Sequence, residues 1–127
     1  MSIVNSTEEL LTAIVKVLSL EIRGKVCIGY QSIQLTGGVK TLTVPTGAIS
    51  AELTLEINDA NTAKMVGARY TLHGVDPETG NTSDKLGIPM GDGDTIELRG
   101  PDNMVPFRII DSGNGSNSRY LKVVYFK

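Results

Sequence analysis

The chain has one cysteine, one histidine and no tryptophan in its 127 residues. A lone thiol, Cys27, excludes an internal disulfide, and its place in the apolar run Val26-Cys27-Ile28 predicts a buried, inert side chain. A lone imidazole, His73, has no second histidine beside it with which to build a metal set or a nucleophilic constellation. Charge of one sign is also missing: 12 Lys and Arg against 14 Asp and Glu leave no electrostatic footprint for a nucleic-acid backbone or an anionic membrane. No apolar run reaches the roughly 20 residues that cross a bilayer. The stretch 10–20 is interrupted by Lys16 and preceded by Glu8 and Glu9, where a secretory signal would carry basic residues. The expectation is a protein that is not an enzyme, holds no metal or cofactor, and binds neither nucleic acid nor membrane.

What the chain does have is one amphipathic segment followed by alternating strands. Ser6 with Glu9 three residues on is a capping-box pattern, and Arg23-Gly24 closes the other end, so a helix is predicted over about residues 6–23. At 100° per residue Leu10, Leu11, Ile14, Val15, Val17, Leu18 and Ile22 fall within an arc of about 160°, with Glu9, Thr12, Lys16, Ser19 and Arg23 opposite. That face is too broad for one sheet edge to cover. The candidate interaction residues are therefore Leu10, Leu11, Ile14, Val17, Leu18 and Ile22, meeting a second copy or another protein. The competing reading is a helix that plugs the end of its own sheet pair.

From Ile49 to Ile57 odd positions are apolar and even positions polar, the period of a strand with one wet face. The same alternation sets Ala68, Tyr70 and Leu72 against Arg69, Thr71 and His73, Ile96 and Leu98 against Thr95, Glu97 and Arg99, and Leu121, Val123 and Tyr125 against Lys122. Further strands are predicted near 26–30, 32–36, 39–44, 86–90 and 106–111. Turns are predicted at Gly37-Gly38, Pro45-Thr46-Gly47, 76–80, 91–94, 100–103 and 112–117. The fold class is mainly β, an antiparallel β-sandwich or jelly roll with one N-terminal amphipathic helix. Two parts follow: a docking segment, 1–24, and a β-domain, 25–127.

Candidate chemistry is thin. Gly91-Asp92-Gly93-Asp94 has the oxygen ligands of a calcium loop but not the spacing, and reads as hairpin chemistry. Asp76, Glu78 and Asp84 share one loop, yet Pro77 and Gly80 account for it as a turn, and no apolar pocket is at hand to raise a carboxyl pKa for hydrolysis. The Gly-rich stretch 112–117 lacks the lysine and helix of a phosphate cradle.

Residues 66–126 carry an ordered series: Ala68-Arg69-Tyr70-Thr71-Leu72-His73-Gly74, then Pro77 and Gly80, then Gly87-Ile88-Pro89-Met90-Gly91-Asp92-Gly93-Asp94. Leu98-Arg99-Gly100, Phe107-Arg108-Ile109-Ile110 and Leu121-Lys122-Val123-Val124-Tyr125-Phe126 complete it. This order resembles the small β-sandwich proteins of tailed-bacteriophage virions. The resemblance implies a structural protein of the particle, as capsid decoration, head fibre, collar or tail accessory. Its partners would be copies of itself and capsid, portal or tail proteins. The helix at 6–23 falls outside the resembling pattern. A second expectation is a carbohydrate- or receptor-binding module for a host-surface glycan, with loops 76–84, 99–105 and 112–119 gathered at one end and Asp76, Asp84, Asp102, Asn103 and Asn117 as ligand contacts.

Overall fold

A computed structural model describes residues 11, 26–58, 66–113 and 119–127. The predicted helix and its face lie outside these, apart from Leu11, which is exposed. Asn117 lies outside them too.

The described chain is mainly β. Strands β1 (Cys27–Gln34), β2 (Ser50–Ile57), β3 (Ala68–Thr71), β4 (Ile88–Met90) and β5 (Thr95–Arg99) are followed by a one-turn helix, α1 (Pro101–Met104), and by β6 (Arg108–Asp111) and β7 (Arg119–Phe126). They form two antiparallel sheets, a four-stranded one in the order β1-β7-β2-β5 and a three-stranded one in the order β4-β3-β6. Lys40 adds a bridge to Ile109 on the outer side of β6.

The period-two pattern explains what is buried. Ala51, Leu53, Leu55 and Ile57 of β2 and Leu121, Val123 and Tyr125 of β7 face one core, which Ala68, Met90, Phe107 and Ile109 share from the other sheet. Tyr70 packs against this cluster and stacks on Phe107 at 5.7 Å between ring centroids. Burial pushes the Tyr125 hydroxyl up to about 12. It donates to Gln31 Oε1 at 2.6 Å, and Gln31 Oε1 also accepts from the Thr43 backbone at 3.1 Å. A polar tip is thereby satisfied under an edge strand.

Several expectations change. The two strands near 26–30 and 32–36 are one, with a bulge between Cys27 and Gly29. The strand expected at 39–44 is reduced to the Lys40 bridge. The turn at 100–103 is a helical turn with Pro101 at its start, where a missing N–H costs nothing. Cys27 is exposed rather than buried, since the bulge breaks the alternation that would have turned it inward. The 91–94 turn is closed by Asp94 N donating to Gly91 O at 3.1 Å, but it joins β4 to β5 across the two sheets and is no hairpin.

Gly67 precedes β3 where the sheets come close. A Cβ there would lie 2.4 Å from Ile57 Cδ1 and 2.9 Å from Leu55 Cδ2. Gly67→Ala is expected to cost about 1–3 kcal/mol by overpacking, read as a lowered denaturant midpoint at unchanged slope.

Candidate functional site

Alternation along β3 places Ala68 and Tyr70 toward the core and Arg69 and Thr71 on the outer face. The sequence pattern makes that outer face wet, yet Arg69 and Thr71 are each only 4% exposed. The connection between β3 and β4 folds back over them. Arg69 Nε donates to Gly80 O at 2.9 Å, Nη1 to Gly87 O at 3.0 Å and Nη2 to Thr82 O at 3.0 Å, so one guanidinium fork holds three carbonyls of the loop. The Thr71 hydroxyl donates to Val75 O, and Gly74 N donates to Pro106 O at 3.0 Å. Glu78 and Leu86 close the loop on itself, with Glu78 N donating to Leu86 O at 2.9 Å and Leu86 N to Glu78 Oε1 at 3.0 Å. At Gly87 φ is +122° and a Cβ would stand 2.9 Å from Arg69 Cβ, so only glycine lets the returning chain come this near.

Asp76 and Asp84 sit exposed on this loop, held by geometry rather than by one another. The Thr82 hydroxyl donates to Asp84 Oδ1. That bond, helped by the Asp84 backbone and by nearby Lys85, holds the Asp84 carboxyl below its ordinary value. A general acid needs the opposite shift, which comes from desolvation. The three acidic residues of the loop, Asp76, Glu78 and Asp84, are exposed. His73 is exposed beside it.

A second buried arginine ties the loop to both sheets. Arg119 shares the inward parity of Leu121, Val123 and Tyr125, and its side chain is 2% exposed. Its Nη1 donates to Asp111 Oδ1 at 2.7 Å, Ser112 Oγ at 2.6 Å and Gly67 O at 3.0 Å. Asp111 Oδ1 also accepts from Gly113 N at 2.7 Å, and Asp111 O accepts from the Thr79 hydroxyl at 2.6 Å. The sequence signal for Arg119 was there, since its odd position continues the apolar face of β7. Arg69 had no such signal, because the loop that covers it is distant in sequence.

Asp102 and Asn103 are exposed on α1, where Asn103 Nδ2 donates to Arg99 O at 2.7 Å. The segment holding them enters β6 at Arg108, whereas the 112–118 connection leaves β6 at Asp111. Of the three loops, 76–84 covers Arg69 and also meets the end of β6 through the Thr79 hydroxyl and Asp111 O, 99–105 precedes β6, and 114–118 lies outside the described residues. Asp92 Oδ1 accepts from Ile57 N at 2.9 Å, a structural role. Among the described residues no group of three or more His, Cys, Asp or Glu side chains is placed to hold a metal ion. No helix among them is long and apolar enough to cross a membrane.

No protein-family model matches the chain, no curated protein matches it in sequence, and no solved structure matches its fold.

Proposed function

We propose that this chain is a non-catalytic structural protein of a tailed-bacteriophage particle: a jelly roll displayed on the virion and anchored through the apolar face at 6–23. The observation that supports the jelly roll is the nesting of its strand pairs. β1 pairs with β7, Lys40 with β6, β2 with β5 and β3 with β4, as in one long hairpin, while the pairs β2 with β7 and β3 with β6 come from rolling that hairpin up. Two sheets that share one apolar cluster are then the two layers of a sandwich. Viral capsid domains use this architecture, and so do lectins and others. The particle role itself rests on the resemblance at 66–126.

Anchoring is the mechanism. Repeated copies on a particle turn modest single contacts into firm attachment, so a small domain needs only one sticky segment. The test is Ile14→Asp with Leu18→Asp. The double variant is expected to sediment as a smaller species and to lose particle attachment, while keeping the circular dichroism and melting transition of the β-domain. Unchanged sedimentation and attachment would remove the anchoring role.

A further inference from the structure

The two sheets present four outer strand positions, and three of them are guarded. β4 is three residues long and contains Pro89, β5 carries Glu97 and Arg99, and β6 has Lys40 bonded along it through Lys40 N to Ile109 O at 2.8 Å and Ile109 N to Lys40 O at 3.0 Å. Short strands, proline, charge and a covering segment are the devices that keep edges from pairing with other chains. Among the described residues β1 has none of these, and its bulge at Cys27/Gly29 lies at the start of the strand, before Tyr30 and Ser32. It is eight residues long, and no Asp, Glu, Lys or Arg occurs from 26 to 39.

Register decides which backbone groups of β1 are open. Leu35 N donates to Arg119 O at 3.0 Å, and the pairs Ile33 with Leu121, Gln31 with Val123 and Gly29 with Tyr125 continue that line. In an antiparallel ladder bonded and non-bonded pairs alternate, so from Gly29 onward odd residues of β1 bond to β7, and Tyr30 and Ser32 turn their N–H and C=O outward. Tyr30 and Ser32 make no backbone hydrogen bond to any described residue on that outer side. Thr43 and Pro45 approach β1 from the core side, at Gln31 and Gly29. Tyr30 is 79% exposed, a large aromatic left in water beside open backbone.

We propose that β1 pairs edge to edge and antiparallel with β1 of a second copy, joining two four-stranded sheets into one across a two-fold axis. The axis falls at Gln31, so that Tyr30 of each copy faces Ser32 of the other and both residues exchange N–H···O=C bonds. This register keeps nearly the whole of β1 paired and sets the two Tyr30 rings diagonally across the join, within reach of each other. A two-fold contact of identical strands is self-complementary and closed, which suits a dimer rather than a fibre. None of the residues of this surface belongs to the 6–23 segment.

The experiment is sedimentation velocity of the full chain over a concentration series, run in the Ile14→Asp, Leu18→Asp background so that the anchoring segment does not contribute. That protein is expected to dimerise. Adding Ser32→Pro removes an N–H that the monomer leaves open on an edge, where proline is tolerated, and is expected to weaken the dimer at least tenfold without loss of the folded β-signal. Tyr30→Lys places two like charges across the join and should do the same if the proline variant folds poorly. A monomer at all concentrations in that background, or a dimer equally strong in the Ser32→Pro or Tyr30→Lys variant, would overturn the proposal. The anchoring reading fails separately, through a Ile14→Asp, Leu18→Asp protein that sediments as the parent does.

Discussion

Replacing Arg69 with methionine is expected to lower the stability of the domain by about 3 kcal/mol and to free the loop between β3 and β4. Methionine keeps much of the volume, so the loss isolates the three hydrogen bonds to Gly80, Thr82 and Gly87. Bonds from a charged donor are worth about 1.5–3 kcal/mol each net, but these carbonyls lie on an exposed loop and rehydrate once it lifts, so their sum is capped by the cost of loop opening. Arginine cannot shed its proton, so its burial at this site depends on the carbonyl set. Lysine offers one point of charge in place of a planar fork, and Arg69→Lys should rescue little. Denaturant melts report the stability, and tryptic cleavage after Lys85 reports the loop. A methionine variant within about 0.5 kcal/mol of the parent, with Lys85 equally resistant, would show that the loop is held by something else.

Asp111→Ala is expected to cost a similar amount, about 3 kcal/mol, for a different reason. Arg119 is 2% exposed and Asp111 21%, so removing the carboxylate takes a counter-charge at 2.7 Å from a guanidinium inside the protein. Breaking a buried pair from one side costs about 3–5 kcal/mol, and the partial exposure of Asp111 puts this pair at the lower end. Asp111→Asn keeps an acceptor at Oδ1 for Arg119 and Gly113 and should lose about half as much. The double variant Asp111→Ala, Arg119→Met should recover stability relative to Asp111→Ala alone, because no buried charge is then stranded. Additive losses in that cycle would mean that the two side chains do not act as a pair. Against a total of about 5–15 kcal/mol for a domain, either single change is large.

Both predictions turn on arginines whose burial local pattern does not explain equally. For Arg119, placed by the sequence reading in the loop 112–119, β7 in fact begins at that residue, and its odd position before Leu121, Val123 and Tyr125 was the signal that could have shown it facing the core. For Arg69 parity pointed outward, and outward meant water until the segment from Gly74 to Gly87 folded over it. Leu72 shows the converse, an apolar residue on the core parity that is exposed because β3 ends at Thr71. Cys27 shows a third case, in which a bulge reverses the expected direction.

Among candidate site residues, the exposure of Asp76, Asp84, Asp102 and Asn103 was legible as turn chemistry, and the structure agrees.

Sequence alone determined the β class, most strand positions and the core parity of β2 and β7. Those properties are local: a side-chain period of two and the positions of glycine, proline and asparagine depend on a few adjacent residues. Only the tertiary structure decided which strands pair, that the 74–87 loop covers Arg69 and Thr71, and that β1 stands at the edge of its sheet. Each of these is set by hydrogen bonds between residues distant along the chain, about which no short window of sequence carries information.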